Sequence, residues 1–119
     1  MIIRVQTNGD KGLDEQVGDH FGRVPTYTLV DTETNKVRVV RNTSEHMGGT
    51  GKPPEHLAKE GVNVLLCSGL GPRAITMFEG YGIEVYVGAQ GTVKNTIELW
   101  KAKKLQVATD ENACKEHQH

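Results

Sequence analysis

VNVLLCSGLGPRAITMFEGYGIEVYV, residues 62–87, is the stretch from which the fold can be read. Val62 to Cys67 is a nearly continuous apolar run, the pattern of a strand covered on both faces. Gly69 and Gly71 interrupt it, and Pro72 stands where a first helical residue loses nothing by lacking an N–H. From Pro72 to Glu79 the spacing places Ala74, Ile75 and Phe78 on one helical face, and Gly80 and Gly82 end the helix. Ile83 to Val87 is a second strand. Strand, helix and strand in this order predict a parallel pair with a crossover helix.

Working outward, Ile2 to Gln6, Thr26 to Asp31 and Val37 to Arg41 read as strands, the last two joined as a hairpin across the polar turn Thr32 to Lys36. Pro53 and Pro54 open a short helix, Glu55 to Glu60, which Gly61 stops. On the other side Thr92 can cap a helix through about Lys103 that buries Val93, Ile97 and Trp100, with Lys101, Lys103 and Lys104 near its negative end. The whole predicts an α/β fold. It has a mixed five-stranded sheet with an N-terminal antiparallel hairpin and helices packed on it, over residues 1–107. Residues 108–119, without a core pattern, are expected to form a flexible tail.

The chain's 119 residues make one domain. Its 14 Lys and Arg against 15 Asp and Glu leave a formal net charge of −1, which argues against a bulk electrostatic grip on nucleic acid. No apolar run approaches the roughly 18 residues of a membrane span, and the start MIIRVQTNGD has no export pattern, so a cytoplasmic location is expected. Cys67 and Cys114 do not amount to a disulfide framework. Glycine is in surplus, with 14 residues. Nine of them fall in three loops: Gly9, Gly12, Gly18 and Gly22; Gly48, Gly49 and Gly51; Gly69 and Gly71. Two of those loops leave the carboxyl edge of the predicted strands, where ligands of open α/β sheets bind.

The turn Cys67-Ser68-Gly69-Leu70-Gly71-Pro72-Arg73-Ala74 offers free backbone N–H groups at a helix start, which suit an anion. The same glycines would equally serve a tight strand-to-helix turn, and Arg73 favours the anion. Dinucleotide binding is excluded because the next strand ends in Gly88-Ala89-Gln90, without the acid that would hold a ribose. Gly48-Gly49-Thr50-Gly51-Lys52-Pro53 departs from a nucleotide P-loop twice, with His46 for the first glycine and Pro53 for the magnesium-binding hydroxyl. His46, Met47 and Lys52 can still reach a ligand. In Asp19-His20-Phe21-Gly22-Arg23 the imidazole is either a metal ligand, with Arg23 neutralising an anionic cluster, or a packed histidine bonded to Asp19. Cys67 ends a buried strand and reads as a small hydrophobe. Cys114, His117 and His119 offer three metal ligands within six residues of the tail. The acids Asp10, Asp14, Asp19 and Asp31 are scattered, and no serine nucleophile elbow is present, so no enzyme activity is expected.

HFGR at His20 to Arg23, GLGPRA at Gly69 to Ala74, and YGIEVYVGAQGTV from Tyr81 to Val93 occur in this order before a short tail that follows Leu105. Together they resemble the dinitrogenase iron-molybdenum cofactor biosynthesis family over about residues 1–107. The resemblance implies a ribonuclease H-like α/β fold without nuclease activity, in small proteins that bind or carry metal-sulfur clusters. Single-domain members of the resembled family from anaerobes include one that holds a molybdenum-copper sulfide cluster without covalent bonds. Carried over by position, His20 is the candidate ligand, beside Phe21 and Gly22, and Arg23 is its charge partner. Gly69, Gly71 and Arg73 form a wall of the pocket, and His46 and Met47 lie in a loop used as a mobile flap. The expected cofactor is thus a metal-sulfur cluster of molybdenum, copper or iron with sulfide, either iron-molybdenum cofactor-like or molybdenum-copper, and no nucleotide. Cluster-assembly proteins are the expected partners. The alternatives are a regulatory adaptor for a P-loop ATPase, and metal capture by Cys114, His117 and His119.

Overall fold

A computed structural model describes residues 1–18, 24–41 and 61–109. The strands are β1 (Ile2–Thr7), β2 (Thr26–Asp31), β3 (Val37–Arg41), β4 (Val62–Leu66), β5 (Glu84–Val87) and β6 (Gln106–Val107). Two helices are described, α1 (Pro72–Gly80) and α2 (Val93–Lys101), with one 3-10 turn at Gly12–Asp14. The helix expected at Glu55 to Glu60 and the tail from Asp110 lie outside the described residues.

The strands form one mixed sheet in the order β3-β2-β1-β4-β5-β6. β1 pairs antiparallel with β2 and parallel with β4, and β4 pairs parallel with β5. The strand, helix and strand of residues 62–87 therefore form the expected parallel crossover, and β2 with β3 the expected hairpin. Five strands were expected and six are present. The added one, β6, runs antiparallel to β5 through Tyr86↔Val107 and Val87↔Gln106. Both its residues are exposed, so it has no hydrophobic period to reveal it, and it is held by its backbone ladder between the buried Leu105 and Ala108.

Alternation along β1 and β4 divides the core. Ile3, Val5, Val64 and Leu66 point to the face covered by Val93 and Ile97 of α2. Leu65 and Cys67 point to the face covered by Ile75 and Phe78 of α1, together with Tyr27 and Leu29 of β2. Trp100, expected in the core, is half-buried and meets Tyr86 edge to face at 6.3 Å between ring centroids. Thr92 caps α2 as its sequence foretells, its hydroxyl accepting from the Asn95 N–H at 3.1 Å. The hairpin turn is set by Asp31, whose carboxylate accepts from the Glu33 N–H at 2.9 Å. That bond lowers the Asp31 pKa below its ordinary value.

Three buried threonines lock the start of β2 to the end of β1. The Thr7 hydroxyl lies 2.7 Å from that of Thr26 and 3.1 Å from that of Thr28. Thr26 also donates to the Gly9 carbonyl, which holds down the loop after β1. Thr26→Val is expected to cost about 1–3 kcal/mol by stranding buried acceptors, and Thr28→Val less, because Thr7 keeps Thr26 as a partner. Chemical denaturation of the two variants compares them.

Candidate functional site

Because β1, β4 and β5 are parallel, their carboxyl ends share one edge of the sheet. Three chain segments leave it: the loop from Asn8, the turn from Cys67 to Gly71, and Gly88 to Thr92. Hydrogen bonds lash them together. The Gly88 N–H donates to the Ser68 carbonyl at 3.3 Å, and the Ala89 N–H to the Cys67 carbonyl at 3.0 Å. The loop from β1 returns as a short extra bridge, with Thr7 opposite Val17 and Gln16 opposite Thr92. There the Val17 N–H reaches the Gly91 carbonyl at 2.9 Å.

Gly18 is the most constrained point of this edge. Its N–H donates to the Gln6 carbonyl at 2.8 Å, while its own carbonyl accepts from the Ser68 hydroxyl at 3.0 Å. A Cβ on Gly18 would overlap Cγ1 of Val24. Thus the residue before Asp19 and the residue after Arg23 touch, next to the turn that carries Gly69 and Gly71. Two of the three sequence motifs therefore join the fold at one place, although 19–23 themselves, with His20, Phe21, Gly22 and Arg23, lie outside the described residues. So do His46, Met47, Lys52, Cys114, His117 and His119.

Of the expected site residues, Gly69, Gly71 and Arg73 are described. Gly69 is half-buried, and a Cβ there would meet nothing within 4 Å, whereas Gly71 is buried and is the N-cap of α1. No described side chain caps that helix. Its geometry leaves the first-turn N–H groups of Arg73 and Ala74 without an intrahelical acceptor. Arg73 itself is exposed, in a shallow groove with Pro72, Thr76 and Met77 on the outer side of α1. Among the described residues no group of three His, Cys, Asp or Glu side chains gathers as a metal site.

Cys67 is fully buried at the end of β4 and its thiol donates weakly to the Tyr86 carbonyl. Desolvation pushes its pKa from 9.0 up to about 12, with the Gly69 N–H opposing the shift. This thiol stays protonated at neutral pH and is a packing group.

Two residues of this edge were missed from sequence. Glu15 is buried, and its carboxylate accepts from the Gln16 N–H at 2.8 Å and the Lys11 N–H at 3.3 Å, folding the loop after β1 onto itself. Its close approach to Gly9, where a Cβ would overlap Oε1, explains one of the surplus glycines. Arg41 ends β3 opposite Thr26 and lines a groove of about 610 Å³ with Gly9, Asp10, Pro25, Thr26 and Val39. Its sequence signal was an arginine closing a strand at the edge where ligands are sought.

Comparison with known proteins shows relatives in sequence and in fold. The family model described as dinitrogenase iron-molybdenum cofactor matches residues 1–103. The apo form of the orange protein from Desulfovibrio gigas is 29% identical and superposes with a TM-score of 0.81 over 91% of this chain and 92% of its own. A Thermotoga protein described as a NifB candidate of the DUF35 family is 31% identical, with a TM-score of 0.75 over 89% of this chain and 91% of its own. An uncharacterised protein of Methanocaldococcus jannaschii is 29% identical over 98 residues, 78% of this chain and 83% of its own.

Gly18→Ala is expected to destabilise by about 1–3 kcal/mol through overpacking against Val24. In a Val24→Ala background the same substitution should cost measurably less, and a double-mutant cycle in urea reads the coupling. Cys67 should resist alkylation at pH 8 until the chain is unfolded, as peptide mapping by mass spectrometry would show. Since an unfolded thiol ionises near 9.0 while the native one waits until about 12, this residue's contribution to stability is complete below pH 9 and is lost as pH rises toward 12.

Proposed function

The chain belongs to the dinitrogenase iron-molybdenum cofactor family, and from that premise we propose that it binds or carries a metal-sulfur cluster and catalyses no reaction. The observation that supports this reading most is the family match across 1–103, which takes in both the HFGR motif and the glycine turn after β4. The cargo seat is the carboxyl edge of β1, β4 and β5. The core strand order β3-β2-β1-β4-β5 with two antiparallel and two parallel joints is read here as a ribonuclease H-like motif carrying that seat.

Metal-sulfide clusters are anionic and present sulfur acceptors on every side. Backbone N–H groups of glycine-rich loops and a few cations hold such an ion without covalent bonds. The uncapped start of α1 supplies N–H groups, and His20 is assigned as the ligand, with Phe21, Gly22, His46 and Met47 enclosing the cargo and Arg23 balancing its charge, while Arg73, turned to the outer side of α1, is left out of the seat. Cys67 takes no part, because a protonated, enclosed thiol cannot replace a sulfide. The cargo is assigned as a molybdenum-copper sulfide or iron-molybdenum cofactor-like cluster, delivered to or received from cluster-assembly proteins.

Anaerobic reconstitution with molybdate, copper or iron, and sulfide should give a charge-transfer chromophore that co-elutes with the protein. A colourless protein fraction under all these conditions would sink the proposal. Within it, His20→Ala should lower the retained metal more than Cys114→Ala, as read by metal analysis after gel filtration. The reverse order would move the ligands to the tail, with His117 and His119.

A further inference from the structure

β3 is an outermost strand of the described sheet, hydrogen-bonded to β2 alone. An edge of this kind presents N–H and C=O groups that another extended chain can pair with. Val37 is 38% exposed, so part of an apolar side chain reaches water beside that row, the rest lying near Gly12. The charges along it are all of one sign. Lys36, Arg38 and Arg41 are exposed, and β3 and its neighbour Lys36 carry no acid, although the whole chain has a net charge of −1. The ion pair found among the described residues joins the N-terminus to Glu33 and involves none of these three cations.

The two arginines serve opposite faces of the sheet, being three residues apart on a strand. Arg38 lines a groove of about 490 Å³ with Ile2, Leu29, Asp31, Lys36 and Val37. Arg41 lines the groove of about 610 Å³ on the other side. A strand laid along β3 would send its side chains alternately to the two faces, toward Arg38 with Asp31 in the same groove on one and toward Arg41 with Asp10 in the same groove on the other. Self-pairing is disfavoured by the same charges, because two copies of β3 side by side would bring four arginines together.

We propose that the outer edge of β3, unpaired among the described residues, is a docking site for an extended, acidic segment of a partner protein, which adds to the sheet as a further strand with carboxylates three residues apart facing Arg38 and Arg41. This inference stands on β3 alone and is independent of the cargo reading.

The probe is a capped eight-residue peptide of alternating valine and threonine with two glutamates three apart; the control has lysines in their place. With the full-length chain labelled with nitrogen-15, the glutamate peptide should shift the amide signals of residues 37–41, and raising salt from 50 to 500 mM should weaken it several-fold. The Arg38→Glu, Arg41→Glu double variant should bind it at least tenfold more weakly and should gain binding of the lysine peptide. Both residues are exposed, so an unchanged thermal melt certifies the fold. No shift at millimolar glutamate peptide, or equal shifts with the lysine peptide, would overturn the proposal. So would a concentration-dependent dimer that Arg38→Glu dissolves, because the edge would then belong to a second copy.

Discussion

The position of Gly18 is the constraint on which the candidate edge depends. Its N–H is spent on the end of β1, its carbonyl on the Ser68 hydroxyl beyond β4, and its bare Cα on contact with Val24. Three segments distant in sequence are thereby fixed within a few ångströms of each other. Any side chain would have to displace Val24, which belongs to the same apolar cluster as Leu70 and Cys67. A glycine is required here for close approach, since its backbone is not in the left-handed region. The surplus of glycine thus has different causes at different places: Gly9 makes room for a buried carboxylate, Gly18 for a valine, and Gly88 and Gly91 adopt positive φ angles of 95° and 76°.

Beneath that edge Arg4 and three core threonines are held by partners, whereas Gln6 Oε1 is buried without a hydrogen bond among the described residues. Arg4, buried on the α1 side of β1, lies 3.7 Å above the ring centre of Tyr27. A guanidinium spread over an aromatic face loses less on burial than a bare ammonium would. The three threonines on the opposite face satisfy one another and the loop above them. These arrangements sit in β1 and β2, the strands that carry the loop after Thr7, so its anchorage is polar and directional, as is that of Thr96 in α2, whose buried hydroxyl donates to the Gln90 carbonyl.

How far the sequence was legible follows the same division. The stretch 62–87 announced itself because an apolar run, a glycine-proline break and a helical stripe leave few alternatives. β6 escaped, since two exposed residues bonded through their backbone leave no periodic trace. Glu15 escaped because a buried carboxylate in a polar loop looks like any solvated acid, and only its bonds to the Lys11 and Gln16 N–H groups distinguish it. For the site, the motifs 20–23 and 69–74 were recognisable as motifs, and the contact of Gly18 with Ser68, residues that lie just before them, was not. It depends on Ser68 reaching a carbonyl fifty residues away, which leaves no local pattern. Arg73 shows the converse limit: its place in the motif suggested an inward cation, yet the first turn of α1 turns it to the outside.

The antiparallel half of the sheet connects the two proposed roles. Register places Arg41 opposite Thr26, and Thr26 opposite Thr7, so the far end of β3 reaches the same edge from which the glycine loops emerge. The groove holding Arg41 is accordingly walled on its other side by Gly9 and Asp10 of the loop after β1. A chain docked along β3 would end beside the proposed cargo seat without crossing the sheet. An all-parallel sheet would separate these functions, because its outer strand would be reached through a covering helix. The hairpin leaves that strand uncovered by α1 and α2, with only the short turn Gly12–Asp14 against it among the described residues, and a carrier that gives up its cargo to another protein gains from a docking edge that ends beside the proposed seat.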